Sequence, residues 1–136
     1  MSLPASSNGH LIKHAIAVDV VLLTIQGSTL KVLLVKRQHA PYRGAWALPG
    51  GIVGPDESVD AAVLRELQEE TNIGNVYLEQ LYTFGGLHRD PRGRVITVAY
   101  YALVNWQQFE LKARHRVSGA DWFPVKRLRV LSFDHQ

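Results

Sequence analysis

Apolar and polar positions along the chain mark out a small set of elements. Ala15 to Ile25 is rich in Val, Ile and Leu, Gln26-Gly27-Ser28 is a turn signal, and Leu30 to Lys36 is a second β-type run. The pair predicts a β-hairpin. Gln38 to Gly44 carries Pro41 and Gly44 and predicts a loop. Trp46-Ala47-Leu48 is short and extended, and Pro49-Gly50-Gly51 is expected to break it. One helix is expected, from Ser58 to Thr71: Ser58 suits the N-cap, Asp60 the first turn, and Asn72 the left-handed position that closes a helix. Val76 to Phe84 and Arg94 to Val104 are long β-type runs separated by a loop, Gly85 to Gly93, and Asp121 to Val125 predicts a last strand.

The chain has 136 residues, which predicts one domain around one core. It is 46% hydrophobic and 20% charged, an ordinary globular balance that argues against disorder. With no Cys there is no disulfide, thiolate zinc site, iron–sulfur cluster or Cys nucleophile, which fits a reducing compartment. A net charge of +3 is too weak to argue nucleic-acid binding, and suits an anionic small molecule if the positive groups converge. The longest apolar stretch, Ala15 to Ile25, is broken by Asp19 and falls short of the ~20 residues that span a bilayer. Met1 to Gly9 reads as a frayed lead-in rather than a signal peptide. Near the other end, Val130-Leu131-Ser132-Phe133 is apolar where a terminus is ordinarily polar. The expectation is a chain cut before a further element, with a short C-terminal strand as the alternative.

The expected helix carries Glu66, Glu69 and Glu70. At about 100° per residue, Glu69 lies about 60° to one side of Glu66 and Glu70 about 40° to the other, so three carboxylates share one narrow arc. Like charges at that spacing repel. A bound divalent cation such as Mg²⁺ or Mn²⁺ would give them a reason to converge, since hard ions take oxygen ligands. The plainer reading is a solvated charged face with Arg65 and Glu69 paired at i,i+4. Gly50-Gly51, where the backbone can approach closely, and a fourth carboxylate at Glu57 weaken that reading.

Gly51, five residues, Glu57, seven residues, then Arg65-Glu66-Leu67-Gln68-Glu69-Glu70-Thr71-Asn72-Ile73 resembles the Nudix box. Asn72 stands where that motif usually has Gly, and Trp46 to Gly51 matches the usual lead-in. The resemblance implies an α/β/α sandwich around a mixed β-sheet. It also implies Glu66, Glu69 and Glu70 as metal ligands, with a backbone carbonyl from Gly50 or Gly51. Glu57 becomes an outer ligand or a group that places a water, and Arg65 orients the carboxylates.

Leu81 to Phe84, the loop Arg89-Asp90-Pro91-Arg92-Gly93-Arg94, and Val95 to Tyr101 resemble two related groups. One is the ADP-ribose pyrophosphatases. The other is the ADP-ribose-sensing transcriptional regulators of NAD metabolism, which carry a winged-helix DNA-binding domain after the Nudix domain. Arg89, Arg92 and Arg94 suit a diphosphate, since guanidinium forks match its oxygens, while Arg89 and Arg94 could equally fix the loop by pairing with Asp90 and nearby acids. Arg37 is a further candidate, against a solvated strand end. Trp46, Phe84 and Tyr100 could stack on adenine, against ordinary packing. The six His show no metal-ligand spacing and read as surface or loop residues.

Hydrolase relatives are typically acidic in a late loop where this chain has Arg114-His115-Arg116, flanked by Glu110 and Asp121. A cationic loop favours holding a diphosphate over deprotonating a water, unless Arg114 and Arg116 are plain surface charges. The leading expectation is therefore a cytoplasmic, homodimeric sensor of ADP-ribose that reaches DNA only through a domain absent from this chain. The alternative is an Mg²⁺-dependent ADP-ribose pyrophosphatase releasing AMP and ribose 5-phosphate. House-cleaning hydrolysis of a damaged nucleotide fits the arginine loop less well.

Overall fold

The computed structural model describes residues 14–87, 89–114 and 116–128. The expectations for Met1 to Gly9 and Val130 to Phe133 lie outside them. The elements in chain order are strands β1 (Ala15–Gln26), β2 (Thr29–Arg37), β3 (Trp46–Ala47) and β4 (Gly50–Ile52), helix α1 (Val59–Thr71), and strands β5 (Glu79–Phe84), β6 (Val95–Val104) and β7 (Val117–Pro124). Single 3-10 turns follow β6 and β7. The strands form one mixed sheet, in which β1 is antiparallel to β2 and β4 but parallel to β6. Among the described residues no helix is long and apolar enough to cross a membrane.

The first hairpin forms as its pattern predicts, around Gly27 at φ 61°. Its strands then part. β1 and β2 pair only from Leu23↔Val32 to Gln26↔Thr29. Beyond that, the start of β1 pairs with β4 and the end of β2 pairs with β3, so residues 46–52 fill the fork between the two long strands. Two backbone bonds seat the wedge: Val20 N–H donates to Pro49 O at 2.9 Å, and Arg37 N–H donates to Ala45 O at 2.9 Å. Gly50-Gly51 therefore continues into a strand instead of ending one. A Cβ on Gly50 would collide with the Val18 carbonyl, which is why a strand can lie this close only with glycine there.

Alternation along β1 sends Val18, Val20 and Leu22 to one face, where they pack with Ala62, Val63 and Leu67 of α1 and with Leu33, Tyr100, Ala102 and Trp122. On the other face Val32 and Leu34 form a smaller cluster with Trp46, Leu48 and Phe123. The helix begins and ends as its sequence predicts. Ser58 Oγ accepts from Ala61 N–H at 3.0 Å, and Asn72 adopts φ 70° while its N–H donates to Gln68 O at 3.0 Å. The last strand starts four residues earlier than Asp121, at Val117, because its pairing with β2 runs from Lys31↔Pro124 to Arg37↔Val117.

Candidate functional site

The buried side of α1 carries Glu66 and Glu70 beside Val63 and Leu67. Two of the three clustered carboxylates therefore point at the sheet, and Glu69 stays at the flank. Burying a carboxylate is costly unless it is paired. Arg65 supplies much of that pairing. Its Nη2 and Nε donate to Glu57 Oε1 at 2.6 Å and Oε2 at 2.9 Å, and its Nη1 donates to Glu66 Oε1 at 2.9 Å and Glu69 Oε2 at 3.2 Å. One guanidinium thus joins three of the four carboxylates named from the sequence, and includes the i,i+4 pair. Glu57 also accepts from Gly54 N–H at 2.8 Å, and with Arg65 this holds its carboxyl down at about 2. Glu70 Oε1 accepts from Gly50 N–H at 2.9 Å, yet burial outweighs that bond and pushes its carboxyl up to about 8.

Glu66 has a second cationic partner. Arg116 Nη2 lies 3.2 Å from Oε1 and 3.5 Å from Oε2. The late loop is tied to the end of α1 throughout: Lys112 N–H donates to Thr71 O, Arg114 N–H to Glu70 O, and Asn72 Nδ2 to Glu110 O. Arg114 Nη2 donates to Asn72 Oδ1 at 2.7 Å and reaches Gln68 O at 3.4 Å, a cation placed on the negative end of the helix. Arg114 and Arg116 are therefore bonded into the site rather than plain surface charges. Asn72 gives the cap a side chain that Gly lacks. Of the two flanking acids, Glu110 meets the helix through its carbonyl and Asp121 accepts from Trp122 N–H, and neither lines the cavity described next.

A cavity of about 180 Å³ opens where the fork, α1 and the arginine loop meet. Arg37, Arg89, Arg92 and Arg116 line it, with Gly50, Gly51, Glu70, Asp19, Asp90 and His39. It is smaller than the ~300–1,000 Å³ of pockets that enclose a drug-sized ligand, so it suits one polar part of a larger molecule. Arg37 Nε donates to Pro41 O at 2.7 Å, which aims a strand-end residue into the cavity rather than out to solvent. Burial, then Arg92, lower its affinity for its proton.

The arginine loop uses its charges in two ways. Arg92 pairs with Asp90 through Nη2 at 2.7 Å and Nε at 3.0 Å, and holds the Asp90 carboxyl below its usual range. Arg89 Nη1 donates to Val95 O at 2.9 Å and Thr97 Oγ1 at 3.1 Å, so Asp90 has Arg92 as its partner, not Arg89 or Arg94. Both residues fix the loop and still face the cavity. Arg94 is exposed and does not line it.

The aromatic candidates are elsewhere. Trp46 packs edge-on against Phe123 at 4.7 Å between centroids, and Phe84 lies between Tyr82 and the Arg89 guanidinium. Tyr100 is in the core, with its hydroxyl donating to Asp60. None of the three lines the cavity. Ordinary packing is what Trp46, Phe84 and Tyr100 make here. Sequence reasoning missed Asp19, His39 and Thr97 as lining residues, and had Arg116 only as part of a cationic loop suited to holding a diphosphate. Asp19 had a signal, an acid inside an apolar strand; Arg116 had only its contrast with an acidic loop.

Hard carboxylate oxygens are the right chemistry for a divalent ion, but as they stand these groups do not make a site for one. Among the described residues, no three His, Asp or Glu side chains are grouped to hold a metal. Glu66 is shared by two guanidiniums, and Glu70 holds a backbone N–H.

The family model described as NUDIX domain matches residues 13–136. The chain belongs to the Nudix family. The solved Nudix domain of Shewanella oneidensis NrtR, complexed with ADP ribose, matches with a TM-score of 0.85 and 39% identity, over 92% of this chain and 83% of that one. The ADPR responsive transcriptional repressor NtrR of Acinetobacter baylyi is 36% identical over 87% of this chain and 48% of its own length. The ADP-ribose pyrophosphatase of Methanocaldococcus jannaschii is 37% identical over 90% of this chain and 69% of its own. This Nudix domain thus spans about half of the repressor it resembles. Its mixed sheet with a helix is the Nudix fold.

Proposed function

We propose that this chain is an ADP-ribose-binding Nudix domain, the effector-sensing part of a cytoplasmic transcriptional regulator of NAD metabolism. The observation that carries this is the cationic cavity beside the Nudix helix, in which Arg116 is bonded to Glu66 where a hydrolase would need an open carboxylate. Arg37, Arg92 and Arg116 present guanidinium donors to a diphosphate, and the Gly50-Gly51 backbone forms part of the cavity wall. The adenosine and ribose parts extend beyond the cavity. The NtrR and NrtR likenesses support the same ligand. DNA is reached through a segment outside this chain.

The sensor works as a homodimer. β5 is the terminal strand of the sheet and every residue along it is exposed, including Leu81 and Tyr82, with the exposed Tyr101 of β6 opposite Glu79. An apolar edge of this kind supports pairing with a second copy.

The alternative reading is an ADP-ribose pyrophosphatase, supported by the intact Glu66, Glu69 and Glu70 and by the archaeal relative. In it those side chains and the Gly50 carbonyl would hold Mg²⁺ or Mn²⁺, which supplies charge neutralisation of the diphosphate. Water would then cleave the P–O–P link to AMP and ribose 5-phosphate. The test is calorimetry with ADP-ribose beside an AMP-release assay in Mg²⁺. Binding without AMP is the expected result. AMP release abolished by Glu69→Gln transfers the conclusion to the hydrolase, and no affinity below millimolar removes both.

A further inference from the structure

We propose that Arg116 takes the place of a divalent cation on Glu66, so that the domain grips a diphosphate with a tethered guanidinium rather than through a metal. The inference rests on the diphosphate reading of the cavity. It begins from the charge on Glu66, whose side chain is 1% exposed. Arg65 is already divided among Glu57, Glu66 and Glu69, so one guanidinium serves three carboxylates. The remaining demand is met from across the fold by Arg116, fifty residues on in sequence.

The manner of contact is that of a counter-ion. Arg116 Nη2 lies within 3.5 Å of both Glu66 oxygens, a straddling position. Its side chain is 48% exposed and lines the cavity, so the same residue touches the buried carboxylate and faces the ligand space. Only one nitrogen of the fork is engaged on Glu66, and a guanidinium has five N–H donors. A metal on Glu66 would meet this fixed positive charge at contact distance, and like charges there repel strongly. Metal and Arg116 are therefore competitors for one carboxylate.

The experiment uses the full chain, Arg116→Gln and Arg116→Lys. Mn²⁺ affinity is read by electron paramagnetic resonance and ADP-ribose affinity by calorimetry in EDTA and in Mn²⁺. The wild type is expected to bind ADP-ribose equally in both buffers. Arg116→Gln is expected to bind Mn²⁺ about tenfold more tightly than wild type, as expected when a contacting like charge is removed. It is also expected to lose about tenfold in ADP-ribose affinity in EDTA, as truncation of a charge partner does, and to recover it in Mn²⁺. Arg116→Lys keeps the charge without the fork, so its Mn²⁺ affinity stays at wild type while ligand affinity in EDTA falls. Unchanged Mn²⁺ affinity in folded Arg116→Gln overturns the proposal, as does wild-type ADP-ribose binding that requires metal. If Arg116→Gln does not fold, undiminished ligand affinity of Arg116→Lys in EDTA overturns it. If wild type binds no ADP-ribose at all, the functional reading fails, and the Mn²⁺ comparison still decides the role of Arg116.

Discussion

Replacing Gly51 by Ala adds one methyl group at the point where the wedge meets the buried carboxylate. A Cβ there would lie 2.5 Å from Glu66 Oε1 and 2.6 Å from its Cδ. Carbon and oxygen in ordinary contact need about 3.4 Å or more, so the carboxylate must retreat by close to an ångström. It has little room to do so, because Glu66 is fully buried and held by Arg65 at 2.9 Å and Arg116 at 3.2 Å. Overpacking of this kind costs roughly 1–3 kcal/mol, and stretching two charge-assisted bonds puts this site at about 2 kcal/mol. For a chain of this length that is a fall in Tm of about 7 °C. Gly85→Ala is the control, since a Cβ at Gly85 meets nothing within 4 Å, and its Tm should stay within about 2 °C of wild type. Differential scanning fluorimetry on both variants reads the difference, with ADP-ribose calorimetry beside it. Equal melting temperatures for the two variants would refute the placement of Glu66 against Gly51.

Other consequences can be measured in the same way. Asp90 is held below its usual range by Arg92, so its ion pair stabilises the fold above the unfolded carboxyl value near 4 and is lost as pH falls through the lower folded value. Thermal melts from pH 7 to pH 3 should therefore show a loss in wild type that is smaller in Asp90→Asn, and parallel profiles would count against the pair. Asn72→Ala forces an alanine to φ 70° and removes the bonds to Glu110 O and Arg114; a loss of about 1–2 kcal/mol is expected in urea unfolding. Leu81→Arg places a charge on the exposed apolar β5 edge and should convert a dimer to a monomer in light scattering, with the far-UV spectrum unchanged.

Local signals carried much of the fold into the sequence. Ser58 and Asn72 bracket the helix because capping depends on neighbours three or four residues away, and the first hairpin depends only on its own turn. The fork was not legible, since it needs β1 and β2 to part and accept a wedge from residues 46–52. Glycines that look like a break are, in that setting, what lets a strand fit. Helical spacing put Glu66, Glu69 and Glu70 on one arc, but not which of them the sheet would cover. The aromatic rings stayed open between two readings because stacking on a ligand and packing on Phe123 or Tyr82 draw on the same residue types. Arg116 reaches Glu66 only through a loop whose bonds to the helix end span some forty residues of chain.

That lacing also sets the reach of the arginine. Arg114 N–H is anchored on the Glu70 carbonyl, two residues before Arg116, so the guanidinium swings on a short leash. Its effective concentration at Glu66 is set by the length of that tether and does not fall with dilution. Such a tip can meet an incoming anion with its free N–H donors while Nη2 stays on Glu66.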